Sequence, residues 1–67
     1  MIELGKYKHF KGAVVEVLGF AKDSETLKEM VIYKHLDTSE IWVRSLEMFE
    51  EIIVRNNAKI KRFTKID

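Results

Sequence analysis

A chain of 67 residues with no cysteine has no covalent staple, and so little interior that its apolar residues must be arranged with economy. A domain of this size buries only ~60% of the surface its unfolded chain exposes. A regular, densely hydrogen-bonded fold, or a partner, has to supply the rest. Without cysteine neither a disulfide nor a thiolate metal site is possible, which suits a reducing compartment. The opening residues Met1-Ile2-Glu3-Leu4-Gly5-Lys6 do not read as a secretory leader. No apolar run approaches the ~20 residues that cross a bilayer. The expectation is one cytoplasmic domain spanning residues 1–67, with no membrane partner.

The apolar residues come in short, β-branched runs, which predicts strands. Val14-Val15-Glu16-Val17-Leu18-Gly19-Phe20 is the first, bounded by Gly12 and the polar run Lys22–Thr26. Met30–Leu36 is the second and closes on Asp37-Thr38-Ser39, side chains that bond local backbone in turns. Leu27–Tyr33 also reads as a helix, through Leu27-Lys28-Glu29-Met30; the β-branched residues that follow favour strand. Ile41–Arg44 is a short third run. Glu51–Arg55 and Lys59–Phe63 flank Asn56-Asn57, a pair that tolerates positive φ and so suits a tight hairpin. Gly5–Phe10 alternates Lys6 and Lys8 with Tyr7 and His9, reading as an edge strand closed by Lys11-Gly12. One helical turn is expected over Leu46–Phe49, with Ser45 as its cap and Glu47 at its positive end.

This order predicts a mainly β fold: a small, SH3-like, partly open antiparallel barrel with one short helical turn. Closure would hide strand edges. The expected core is Val15, Val17, Leu18, Val31, Tyr33, Val43, Leu46, Met48, Ile52 and Ile60. Phe10, Phe20, Phe49 and Phe63 are placed in the core or at its rim.

No catalytic constellation is legible. Ser24, Ser39 and Ser45 sit in no glycine-rich elbow, and Gly12 and Gly19 form no phosphate loop. His9 and His35 lack metal-ligand spacing. Glu25 with Glu29, or Glu47 with Glu51, read as solvated faces. A domain this small encloses a water-excluding cleft with difficulty. The chain is therefore expected not to be an enzyme and to need no cofactor or metal, with an enzyme accessory domain using Glu25 or His9 as the remoter alternative.

Charge is unevenly placed. Residues 1–12 and 55–67 together sum to +6, while residues 13–54 sum to −5. If the fold joins the ends, Lys6, Lys8, Lys59 and Lys61 offer phosphate contacts, and Tyr7, Tyr33 or Trp42 could stack bases. The alternative is that the lysines only keep an edge strand soluble. Trp42 and Tyr33 read as core or as a ligand platform. Arg44 shares a strand face with Trp42.

Gly5-x-Tyr7-x-His9-Phe10-Lys11-Gly12, Val17-Leu18-Gly19-x-Ala21, Ser24-Glu25-Thr26, Val31-x-Tyr33, Trp42-Val43-Arg44-x-x-x-Met48-Phe49 and Arg62-Phe63 resemble, in this order, a domain-of-unknown-function family. It is the one numbered sixteen fifty-three, of short bacterial and phage proteins. The resemblance runs from Gly5 to Phe63 and implies no mechanism. This chain departs from the family pattern twice: Asp23 stands where the family has histidine, and Ser45 where it has proline. The motif suggests one composite ligand site of Tyr7, His9, Ser24, Glu25, Trp42 and Arg44. The favoured alternative is a buried hydrogen-bond network that fixes the loop, with Glu25 and Arg44 expected close enough to pair and Trp42 or Tyr7 nearby. The expected reading is a small binding or interaction module for a protein or small ligand, with nucleic acid as the alternative, acting as a monomer or weak homo-oligomer.

Overall fold

The β-branched runs do form strands, in a computed structural model that describes residues 2–67; Met1 lies outside the described residues. In order, the elements are β1 (Gly5–His9), β2 (Val14–Lys22), β3 (Glu29–His35), β4 (Ile41–Ser45), α1 (Leu46–Phe49), β5 (Ile52–Arg55), β6 (Ala58–Lys61) and β7 (Phe63–Lys65). The fold is mainly β, antiparallel throughout, with one short helix. Five strands form one sheet in the order β4-β3-β2-β1-β7, and β5-β6 is a separate two-stranded hairpin. β4 and β7 end the large sheet without meeting, so it is not closed into a barrel. Leu27–Tyr33 is not helical: strand begins at Glu29, and Leu27 turns the chain with φ 62°.

Three turns set the registers. Asn56 and Asn57 both take positive φ (52° and 64°), leaving Arg55 opposite Ala58 as the two-residue hairpin requires. At the β2–β3 turn the Asp23 carboxylate accepts from the Glu25 and Thr26 amides at 2.8 and 3.1 Å. At α1 the Ser45 hydroxyl accepts from the Met48 amide at 3.2 Å, so serine starts the turn without proline.

The lysine-bearing β1 is not an edge. It lies between β2 and β7, with Lys8 opposite Val14 on one side and Thr64 on the other. The long last run is cut at Arg62. There the Arg62 amide donates to the Glu51 carbonyl and its own carbonyl accepts from Phe10 (2.9 and 3.0 Å), turning Phe63–Lys65 away from the hairpin and onto β1.

One face of the sheet is buried. The core is Tyr7, Val15, Val17, Val31, Tyr33, Phe49 and Phe63, with Ile2, Phe20 and Leu46 packed against it. Four of its seven members are aromatic, which suits so small an interior because each such ring removes a large area from water. Several expected core positions fall outside. Val17 pairs with Tyr33 but Gly19 with Ile32, so Leu18 is the extra residue of a bulge and is exposed; Phe20 takes the inward place. Val43 pairs with Ile32 on the open face. Met48 is exposed because Phe49 is the residue α1 turns inward. Ile52 is exposed and Ile60 only half-buried, since a lone two-stranded hairpin covers little surface.

Candidate functional site

Strand alternation decides which side chains share a face. Tyr7 and His9 on β1, Tyr33 and His35 on β3, Trp42 and Arg44 on β4, and Phe63 on β7 all lie on the buried face. The registers Tyr33↔Trp42, Val31↔Arg44 and His9↔Phe63 place them there. At the end of that face near the β3–β4 turn the rings form a continuous series. Trp42 meets His35 at 5.5 Å between centroids, His35 meets Tyr33 at 5.8 Å, and Tyr33 meets Phe63 at 5.8 Å. Phe63 then meets His9 at 5.0 Å, and His9 meets Phe10 at 4.4 Å.

Cations gather around this series. Arg44 Nε donates to the Tyr33 hydroxyl at 3.5 Å. Arg62 is mostly covered and pairs with Glu51, while its Nε is buried without a hydrogen-bond partner. His9 is held below the ordinary histidine range, first by burial and then by Arg62, Arg44, Lys11 and His35. The Lys11 amide donates to His9 Nδ1 at 3.1 Å. Neutral His9 therefore keeps its proton on Nε2, where it remains a donor. The arrangement is a set of cationic and polar donors beside exposed Trp42. Chemically it suits an anion with a flat or apolar part.

The sequence-predicted site is divided by the fold. His9, Trp42 and Arg44 are brought to this cluster. Tyr7 is on the same face, but its hydroxyl is already used: it donates to the Glu3 carbonyl at 2.7 Å and accepts from the Glu3 amide at 3.1 Å, tying down the N-terminal segment. Burial is the main cause of its raised pKa. Ser24 and Glu25 are exposed on the β2–β3 turn and border the open face together with Ile32 and Val43. Glu25 does not pair with Arg44: the ion pairs among the described residues are Arg62–Glu51 and Lys65–Asp67. The physical reason is that Arg44 leaves β4 on the buried face, whereas the turn projects past the strand ends. Asp23 is the turn's anchor, through its bonds from the Glu25 and Thr26 amides. His35 and Arg62 are the members that sequence reasoning missed. His35 was detectable, being two residues from Tyr33 on one strand; Arg62 stood in the Arg62-Phe63 motif of the resemblance, but nothing local gave it a role.

The basic ends meet in part. Lys8 and Lys61 border a shallow groove of about 440 Å³ with Phe10, Ile60, Thr64 and Ile66. Lys6 and Lys59 do not line it. Arg55 and Lys11 lie over the Phe10 ring at 5.4 and 5.7 Å. No cluster of three or more histidine, aspartate or glutamate side chains among the described residues suits a metal ion. No helix of the described residues is long and apolar enough to cross a membrane.

A family model described as "Protein of unknown function (DUF1653)" matches residues 5–65. The chain is also similar to a crystal structure of a DUF1653 protein from Bordetella bronchiseptica. The two share 26% identity over 97% of this chain and 87% of the other, with a TM-score of 0.87. No curated protein matches the chain.

Proposed function

Given that this chain belongs to the DUF1653 family, whose description names no activity, we propose that it is a non-catalytic binding module taking a small anionic ligand at the His9–Arg44 end of its buried face. The observation that carries this is geometric: Arg44 shares a strand face with Trp42, reaches the Tyr33 hydroxyl within the ring series, and makes no ion pair among the described residues. A partly covered guanidinium without a carboxylate partner gains from an anion more than an exposed lysine does, because its field is less screened. Arginine forks match carboxylate and phosphate geometry. Trp42, half exposed at the rim, supplies a flat surface for the rest of the ligand. The bacterial or phage setting and cytoplasmic location belong to the same proposal and suit a cysteine-free chain.

Trp42 is the sole tryptophan, so its fluorescence reports on the site directly. Titration with inorganic phosphate, sulfate or acetate should change its emission saturably. Arg44→Ala should remove the response while leaving the circular dichroism spectrum unchanged. An unsaturable response, or one retained in Arg44→Ala, would refute the reading.

A second reading rests on the Lys8–Lys61 groove, whose lining carries no carboxylate. Single-stranded nucleic acid could place phosphates on the two lysines and a base beside Phe10. Affinity for a mixed oligonucleotide pool should fall with salt, and Lys8→Glu with Lys61→Glu should abolish it. Salt-independent or unchanged binding removes this second reading.

A further inference from the structure

The two edges of the large sheet are treated differently. β7 is only three residues long, carries Lys65, and is followed by a segment that bonds back to β1 through the Ile66 amide and Lys6 carbonyl. Short length and lysine are ordinary protections of a strand edge. β4 has neither. It runs five residues, Ile41–Ser45, without lysine, proline or bulge. Ile41, Trp42 and Val43 are 65%, 50% and 57% exposed, three consecutive large apolar residues on the free edge.

We infer that β4 pairs with the β4 of a second copy of this chain, antiparallel and centred on Val43, so that one sheet runs through both copies. The backbone is set for it. The His35 amide donates to the Glu40 carbonyl at 2.9 Å, which makes that pair hydrogen-bonded. Alternation along an antiparallel ladder then turns the backbone groups of Trp42 and Arg44 toward β3, and those of Ile41, Val43 and Ser45 outward. A dyad at Val43 lets the two Val43 residues exchange amide and carbonyl bonds. The side chains are self-complementary in the same register. Val43 meets the partner's Val43 beside Ile32 on the open face, and Ile41 meets the partner's Ser45. Trp42 meets the partner's Arg44 as a non-hydrogen-bonded pair, the type that brings Cα atoms to ~4.5 Å. The strand's one cation thus lies against its one aromatic ring, a cation–π pair. Centring the pairing on Arg44 or on Trp42 would set like against like.

A second copy is favoured over a foreign strand because this charge and size match is with the strand's own sequence. Trp42 and Arg44 also belong to the cationic cluster, so pairing adds the partner's Arg44 to each Trp42 rim. The inference does not rest on the ligand reading, since the oligomeric state is measured without ligand.

Sedimentation velocity over a micromolar-to-millimolar series should show a monomer–dimer equilibrium for the wild-type chain. Val43→Lys sets two lysines opposite each other at an exposed position and should leave a monomer with an unchanged circular dichroism spectrum. In a chain with no native cysteine, the double substitution Trp42→Cys with Arg44→Cys should give a covalent dimer on oxidation, and Trp42→Cys alone should not. A wild-type chain monomeric throughout, or a dimer that survives Val43→Lys, overturns the inference. So does a wild-type dimer whose double-cysteine form fails to cross-link.

Discussion

Phe49 from the single helical turn lies flat on Phe63 from the last strand, with ring centroids 4.1 Å apart and planes at 2°. Both are almost wholly buried. Tyr7 and Tyr33 meet Phe49 edge-on at 5.4 and 5.6 Å. The ring of Phe49 therefore joins α1, β1, β3 and β7. Phe49→Ala should cost about 3–5 kcal/mol, a large part of the whole stability of a small domain. Urea denaturation checks this. A variant within about 0.5 kcal/mol of wild type would show that this stack is not the centre of the core.

Ser45 tests whether the cap, and not the sequence of the turn itself, holds α1. Ser45→Ala removes the acceptor for the Met48 amide and should lower stability by about 1 kcal/mol. Ser45→Asp keeps an acceptor there and should restore most of it. Equal losses in both variants would count against capping.

Asn57 has φ 64° in the β5–β6 turn. Asn57→Gly suits that conformation better and should raise the melting temperature slightly, whereas Asn57→Val should lower it. The opposite order would mean that the turn takes another conformation.

Arg44 and Glu25 should behave differently, since no ion pair links them. Glu25→Ala, on an exposed turn, should change stability by no more than about 0.5 kcal/mol and leave anion binding intact. Arg44→Ala should remove binding. Matching losses of stability from both substitutions would restore the idea of a structural pair.

His9 gives a pH dependence whose sign follows from its surroundings. Burial, and then Arg62, Arg44, Lys11 and His35, hold its folded pKa below the ordinary value. Between about 6.5, the unfolded value, and that lowered value, the unfolded chain binds more protons than the folded one. Stability is therefore full above this window and falls as pH drops through it. His9→Gln should flatten this part of the profile in melting curves taken from about pH 8 to pH 5. Phosphate bound at the cluster should raise the His9 pKa and soften the fall in the wild-type chain. If the variant's profile parallels that of wild type, His9 does not titrate in the way described.

Local features were legible in the chain itself wherever the physics is local. The β-branched runs, the serine cap and the paired asparagines each act through neighbours a few residues away, so strands, helical turn and hairpin could be read directly. Half of the candidate site, His9, Trp42 and Arg44, was legible because alternation on a strand is also local. What depended on long-range register was decided only by the tertiary structure. One extra residue at Leu18 reverses every side chain after it, turning Phe20 inward where unbroken alternation from Val15 and Val17 would have turned Gly19. A break at Arg62 sends Phe63 onto β1, makes an interior strand of what alternation marked as an edge, and brings a second guanidinium to His9. The Ser24-Glu25-Thr26 turn had the composition of a site but is carried past the strand ends, where solvent and the Asp23 carboxylate satisfy it. Composition sets which groups are available; the pairing of strands far apart in the chain sets which of them meet.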